Sequence, residues 1–300
     1  MFLLNVDSPL KNGDSGPDVT RVRAYLAACG YIPSEYLVSF IGKLPPELDM
    51  VKSMAANSED PELFDGALEE AVRLFQRTYG LLVNGRVVGE TLELMRTPRC
   101  GVPDFPFSTR ANPVCSWPRQ NLRYHIIDIL PQIGEAAHRS IFVEDLRKWA
   151  AHAPLTFTEG PRGSEIQSFN YSGGGCGGTF AYAYFPCSGS ISGDIHFDRF
   201  DCWSAATPTP RNKVDFASVC LHEQGHALGL GHEPGVRRAV MYPYFNLGEM
   251  RREPVADDIR GIQALYPRTR ERGGSGSAPA AGRKAASKKS KKSSSSKARS

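Results

Sequence analysis

A chain of 300 residues with 41% apolar and 23% charged side chains has the balance of a globular protein of about two domains, which excludes a fibrous or wholly disordered chain. The net charge of +4 is uneven: residues 268–300 hold 11 Lys or Arg against the single Glu271, so the body is mildly acidic and unlike a nucleic-acid-binding fold. No run reaches the roughly 18 apolar residues of a membrane span, and the apolar start of the chain is short for a secretory signal. Seven cysteines predict up to three bridges and one thiol with another task.

In chain order, Asn12-Gly13-Asp14-Ser15-Gly16 is a turn cluster, and Asp18 is placed to cap a helix whose apolar positions Val19, Val22, Leu26 and Ala27 recur at helical spacing until Gly30. A linker around Pro45 and Pro46 comes next. A second helix begins near Asp65 with Ala67, Ala71, Leu74 and Phe75 on one face, and a third lies around 90–95 behind the Asn84-Gly85 turn. Residues 15–97 therefore form a small helical module, and Pro98, Pro103, Pro106 and Pro113 mark its connection to a second domain.

The second domain opens with a strand alternating at Leu122, Tyr124 and Ile126, then a helix over about 134–151 carrying Ile141, Leu146 and Trp149, then a strand at 155–157. Short strands at 180–185 and 193–197 precede a helix over about 214–228, ended by Gly229 and Gly231. A last helix covers about 256–266, with Asp257 and Asp258 in its first turn, where carboxylates suit the helix dipole. Strands and helices without strict alternation predict an α+β fold. The tail beyond Pro267 is Gly, Ser, Ala and Lys and is expected to be disordered. The expected organisation is thus a helical segment 1–104, a domain 105–267 and a tail 268–300.

The densest chemistry lies in His222-Glu223-Gln224-Gly225-His226-Ala227-Leu228-Gly229-Leu230-Gly231-His232. His222 and His226 are four apart on a helix, so both imidazoles leave one face and can bind one Zn²⁺. Gly229 lets the chain leave the helix sharply and return His232 as a third ligand. Three protein ligands leave a fourth tetrahedral position open for water, and Glu223 beside the first ligand can act as general base. His125, His138 and His152 have no such spacing and are taken as ordinary residues.

With these residues in view, residues 10–267 resemble the matrixins, the matrix metalloproteinase family of the metzincin clan. Ala239-Val240-Met241-Tyr242-Pro243 resembles the Met-turn, in which Met241 would floor the zinc site. Gly193-Asp194-Ile195-His196-Phe197-Asp198 resembles a family strand, and Asp257-Asp258-Ile259-Arg260-Gly261-Ile262-Gln263 the last helix. Pro98-Arg99-Cys100-Gly101-Val102-Pro103-Asp104 resembles the cysteine switch at the end of a propeptide similar to peptidoglycan-binding modules. The resemblance implies a metzincin-type domain with a twisted mixed sheet and three helices. It also implies that the Cys100 thiolate fills the fourth zinc position in a latent zymogen, with an Arg99–Asp104 pair shaping the loop.

The resemblance implies further features and several departures. The pair of ligands for a second, structural zinc is missing and only His196 survives, so a single catalytic zinc is expected and no structural one. Calcium remains a candidate through Asp194, Asp198 and Asp201, although Gly174 stands where the glycine-loop aspartate would be. Glu233 follows the third His where matrixins usually carry a small hydroxyl residue. The strand at 180–185, with Ala181 and Ala183, would be the edge along which a peptide adds; Pro243, Tyr244 and Phe245 would wall the main pocket, and Ser218 would lie near the base of a deep apolar one.

Bridges Cys176–Cys187 and Cys202–Cys220 are expected to replace the missing zinc loop and brace the ligand helix, leaving Cys100 as the unpaired thiol. The implied protein is a zinc metalloendopeptidase acting on proteins or peptides of extracellular type after an activating protease cuts beyond Asp104. Its basic tail, with Lys288-Lys289-Ser290-Lys291-Lys292, is read as a solubilising segment, with a nuclear signal, a nucleic-acid arm or an adhesive for polyanionic matrix as the alternatives. The competing readings are a glycan-binding protein built on residues 15–97, which has no use for the switch heptapeptide, and an inactive homologue, which has no use for Glu223.

Overall fold

The computed structural model describes residues 4–35, 48–55, 60–104, 114–176 and 178–268. The Pro45-Pro46 linker, the segment 105–113 with Pro106 and Pro113, and the basic tail from 269 onward lie outside the described residues.

The helical module contains α1 (Pro17–Ala28), α2 (Asp49–Ala55), α3 (Gly66–Thr78) and α4 (Glu90–Arg96). Helix α1 is capped at Gly16 with Pro17 in its first turn, so Asp18 is not the cap and pairs with Arg21 instead. Proline suits that position because its missing N–H would have no helical partner anyway. Helix α3 is capped by Asp65, whose carboxylate accepts the Leu68 N–H at 2.8 Å. The buried faces of α1 and α3 meet through Val19, Val22, Leu26, Leu68, Val72 and Phe75, each side chain contributing roughly 1.5–3 kcal/mol of burial. Buried Gln76 donates to Asn84 Oδ1 and Thr91 Oγ1 and accepts the N–H groups of Asn84 and Gly85, which fastens the turn leading into α4.

The second module comprises β1 (Asn121–Ile126), α5 (Glu135–His152), β2 (Thr156–Glu159), β3 (Ile166–Tyr171), β4 (Ala181–Ala183), β5 (Asp194–Asp198), β6 (Trp203–Ser204), β7 (Val214–Asp215), α6 (Phe216–Ala227) and α7 (Ala256–Leu265). The main sheet has the order β2-β1-β3-β5-β4, with β4 antiparallel to β5 and the other pairs parallel. This is the expected mixed sheet with helices. Strand β3 was not expected, because its inward positions alternate Ile166 and Ser168 while Phe169 and Tyr171 face outward, which inverts the usual apolar signal. Helices α5 and α6 pack over the sheet, and the buried Trp149 indole donates to the Leu221 carbonyl at 3.0 Å to hold them together.

The core of the helical module is completed by Tyr242 and Tyr244, which belong to the second module, so the two modules meet at that loop.

The disulfides differ from expectation. The bridges are Cys115–Cys187 and Cys176–Cys202, and the thiols among the described residues are Cys29, Cys100 and Cys220. Both ends of edge strand β4 are indeed stapled, but to other segments: Cys187 to the start of the second module, Cys176 to the chain after β5. Cys220 is turned toward α5, beside Asp145 and within 3.5 Å of the Gln224 amide, and so is out of reach of Cys202.

Candidate metal centre and its occupied cleft

Helix α6 carries the centre. Asp215 caps it by accepting the Ser218 N–H at 3.0 Å, and every residue of the helix is buried. Gly225 sits between the two helical histidines because a side chain there would lie 2.3 Å from Met241 Sδ, so the Met-turn packs directly on the helix backbone. Gly229 ends the helix with φ +102°, where a Cβ would meet the Cys115 carbonyl oxygen at 1.7 Å. The sharp exit turns the chain back and delivers His232.

The four donors Cys100, His222, His226 and His232 are buried, and their ligand atoms lie within 4.8 Å of one another. His226 Nε2 is 3.1 Å from His222 Nε2, 3.1 Å from His232 Nε2 and 3.6 Å from Cys100 Sγ. A tetrahedral zinc with ordinary bond lengths separates its nitrogens by about 3.3 Å and nitrogen from sulfur by about 3.6 Å. The donor chemistry fits as well. His222 Nδ1 lies 2.6 Å from the Val240 carbonyl, His226 Nδ1 2.7 Å from the Leu230 carbonyl, and His232 Nδ1 2.8 Å from Asp104 Oδ1. Each acceptor takes a proton on Nδ1 and leaves Nε2 a bare lone pair facing the others, which is unfavourable without a cation between them.

Burial, and then the neighbouring imidazoles, hold His222 and His226 well below the ordinary histidine range, and burial also lowers His232 against the pull of Asp104. All three are therefore neutral, the ligand form. Burial and the adjacent Glu223 carboxyl push the Cys100 thiol up in the metal-free site, so a thiolate there needs a cation to hold it. Burial also raises Glu223 to about 8, which the facing Cys100 thiol only partly opposes.

The segment 98–104 lies in the cleft, bridged to both of its walls. Cys100 N–H donates to the Pro243 carbonyl, Gly101 N–H to the Ala181 carbonyl, and Phe245 N–H to the Pro98 carbonyl. Arg99 makes a parallel bridge to Thr179 and an antiparallel one to Tyr244. The Arg99 guanidinium, 2% exposed, grips both Asp104 oxygens at 2.6 and 3.0 Å and donates to the carbonyls of Cys100 and Val102. The hydroxyls of Tyr31 and Tyr79 donate to Asp104 Oδ2, and the Tyr25 hydroxyl meets that of Tyr244 at 2.8 Å. Burial works against ionisation of Asp104, but Arg99 and His232 outweigh it and hold the carboxyl far below its usual range.

Of the expected pocket residues, Pro243 and Ala181 touch the 98–104 segment through their carbonyls. Tyr244 and Phe245 are buried, and Phe245 packs edge-on against His222 at 5.3 Å between ring centres. Ala183 turns into the core. Ser218 is buried, and its hydroxyl donates to Asp215 and accepts the Arg251 N–H.

Two residues that hold the site gave little warning. Asp258 accepts the N–H groups of Val240, Met241 and Val255, pinning the Met-turn to α7, while its neighbour Asp257 turns outward to Arg260. Buried Arg251 donates to the carbonyls of Ala239, Tyr242 and Tyr244 and lies 3.9 Å over the Phe245 ring. A carboxylate in a first turn was visible in the sequence; which of two neighbours faces inward was not.

Elsewhere, His196 is stacked between Phe169 and Tyr182, at 5.0 and 4.8 Å, and burial lowers it to about 4. Asp198 accepts the N–H groups of Gly173, Gly175 and Phe200 at 3.0 Å each, Asp194 accepts from Gln167, and Asp201 from the Cys202 N–H. The Glu233 carboxyl is buried and accepts the Gly235 N–H.

The family model described as Matrixin matches residues 116–267. Over 211 residues the chain is 38% identical to a neutrophil collagenase of Homo sapiens, covering 66% of this chain and 43% of that protein. It is 35% identical over 214 residues to an interstitial collagenase of Bos taurus, covering 67% and 43%. It is also 30% identical over 267 residues to a macrophage metalloelastase of Rattus norvegicus, covering 83% and 54%. The chain thus spans about half the length of the curated relatives it matches.

Proposed function

Because the chain belongs to the matrixin family, we propose that it is a zinc metalloendopeptidase made as a latent zymogen, locked by Cys100 of its own helical segment. The observation that carries this reading is the convergence of one thiol and three bare imidazole nitrogens beside the buried carboxyl of Glu223. Bound by His222, His226 and His232, a zinc ion would supply Lewis-acid polarisation and acidify a water to a pKa of about 7. Glu223 takes a proton from the attacking water and hands it to the leaving amine, because it is the carboxyl beside the first ligand. Met241 and Phe245 shape the apolar surroundings, and Arg99 and Asp104 hold the thiol in place until the segment beyond Asp104 is cut by another protease.

Once the switch leaves, the Ala181 and Pro243 carbonyls and the Phe245 N–H are free to hold an extended peptide by strand addition. The collagenase and metalloelastase names of the relatives favour protein substrates of matrix type, and two disulfides favour an extracellular setting. Tyr25, Tyr31 and Tyr79 of the helical module are spent on Tyr244 and Asp104, which favours a propeptide over a glycan binder. With His196 sandwiched between rings, a single catalytic zinc is expected per chain, and calcium stays a candidate at Asp194, Asp198 and Asp201.

Metal analysis paired with casein or gelatin hydrolysis, before and after a thiol-modifying activator, tests the proposal. About one zinc per chain and activity that appears only after treatment are expected; a zinc-free chain, or a zinc-loaded one that stays inert after removal of residues 1–104, would refute it.

A further inference from the structure

The three imidazoles differ in what stands behind them. His222 and His226 donate from Nδ1 to the carbonyls of Val240 and Leu230, both in the protease module and both permanent. His232 donates to Asp104 Oδ1 at 2.8 Å, an ionised carboxylate that belongs to the switch heptapeptide and lies 128 residues away in sequence. Both partners are 2% exposed, so the contact is shielded from bulk solvent.

We propose that Asp104 is a zinc-retaining residue: it acts through His232 to tighten metal binding in the latent chain, and this support is withdrawn when the propeptide departs. A carboxylate behind a ligating imidazole fixes its tautomer and raises its basicity more than a neutral carbonyl does, and losing such a partner typically costs 10–100-fold in metal affinity. Asp104 is unusually well prepared for this. Arg99, Tyr31 and Tyr79 fix both of its oxygens from the helical side, so the carboxylate reaches His232 at little further ordering cost. Cys100 and Asp104 sit four residues apart on one rigid loop, so activation removes the thiolate and the carboxylate together. The zinc of the processed enzyme is then the more labile one.

The inference rests on the zinc reading of the site. It is tested in zinc-loaded full-length Cys100→Ser, where the thiol no longer contributes, by the rate at which a chelator removes the metal. Adding Asp104→Asn should speed release about 10–100-fold. Tyr31→Phe with Tyr79→Phe, which loosens the clamp on Oδ2 but leaves Oδ1 on His232, should change it far less. In the zinc-loaded wild-type chain the His232 Nδ1 proton should resonate far downfield and move upfield in Asp104→Asn. Equal release rates with about one zinc in each variant, an unmoved resonance, or tyrosine variants as labile as Asp104→Asn would overturn the proposal while leaving the zinc site intact. A chain that binds no zinc in any variant would overturn the zinc reading itself.

Discussion

Glu223 is a fully buried carboxyl that faces the Cys100 thiol beside the metal position. It stands next to His222 in sequence yet takes no part in the donor cluster, which separates the roles of ligand and base. In the activated protein, Glu223→Ala should keep about one zinc per chain and lose about 10²–10⁴-fold or more in peptide hydrolysis, because the imidazoles remain while the proton acceptor is gone. Metal content and turnover measured on one preparation decide it, and near-normal turnover would remove Glu223 from the chemistry. The four residues His222, Glu223, His226 and His232 were legible because they lie within 11 positions and obey helical spacing. The acceptor behind His232 was not, since nothing local in the sequence ties it to Asp104.

At the scale of elements, α5 and α6 form the scaffold of the centre, and their contact buries another acid. Asp145 is raised to about 7 by burial, which the nearby Lys148 only partly offsets at 3.0 Å. Its ordinary value is 3.8, so between those limits the folded chain holds a proton that the unfolded chain has released, and stability falls as pH rises across that window. A full proton of difference corresponds to about 1.4 kcal/mol per pH unit. Asp145→Asn should flatten the decline in melting temperature between pH 4 and 7 and raise it at pH 8 relative to wild type; an unchanged slope would show that the acid titrates normally. The same helices illustrate how far pattern reading goes. Sequence patterns and flanking glycines placed both within two residues of where they lie, whereas β3 escaped because Ser168 points inward, and the disulfide partners escaped because cysteine spacing says nothing about which segments a fold brings together.

At the scale of the molecule, the helical module grips the protease module at the point where the cleft opens. Tyr244, a residue of the proposed pocket wall, is enclosed by Tyr25, Tyr79 and Arg99, so the lock and the substrate pocket share a side chain. On the proposed reading, latency has two components: a thiol on the metal position and a segment bridged across the cleft. Full-length Cys100→Ser should hydrolyse peptides without being cut, since a neutral hydroxyl is a far poorer zinc ligand than a thiolate. If that variant is silent until residues 1–104 are removed, the docked segment alone suffices as the lock. The resemblance of 98–104 to a switch was readable from seven residues; the tyrosine enclosure, assembled from α1, α3 and the loop after the Met-turn, became visible only with the fold.

Zinc K-edge X-ray absorption on the zinc-loaded full-length chain, repeated after proteolytic removal of the helical module, tests the central claim most directly. One sulfur at about 2.3 Å with three nitrogens at about 2.0–2.1 Å is expected before cleavage, and a shell of nitrogen and oxygen alone afterwards. A sulfur-free shell in the intact chain, or a sulfur that persists after the module has gone, would contradict the assignment of Cys100 as the removable fourth ligand.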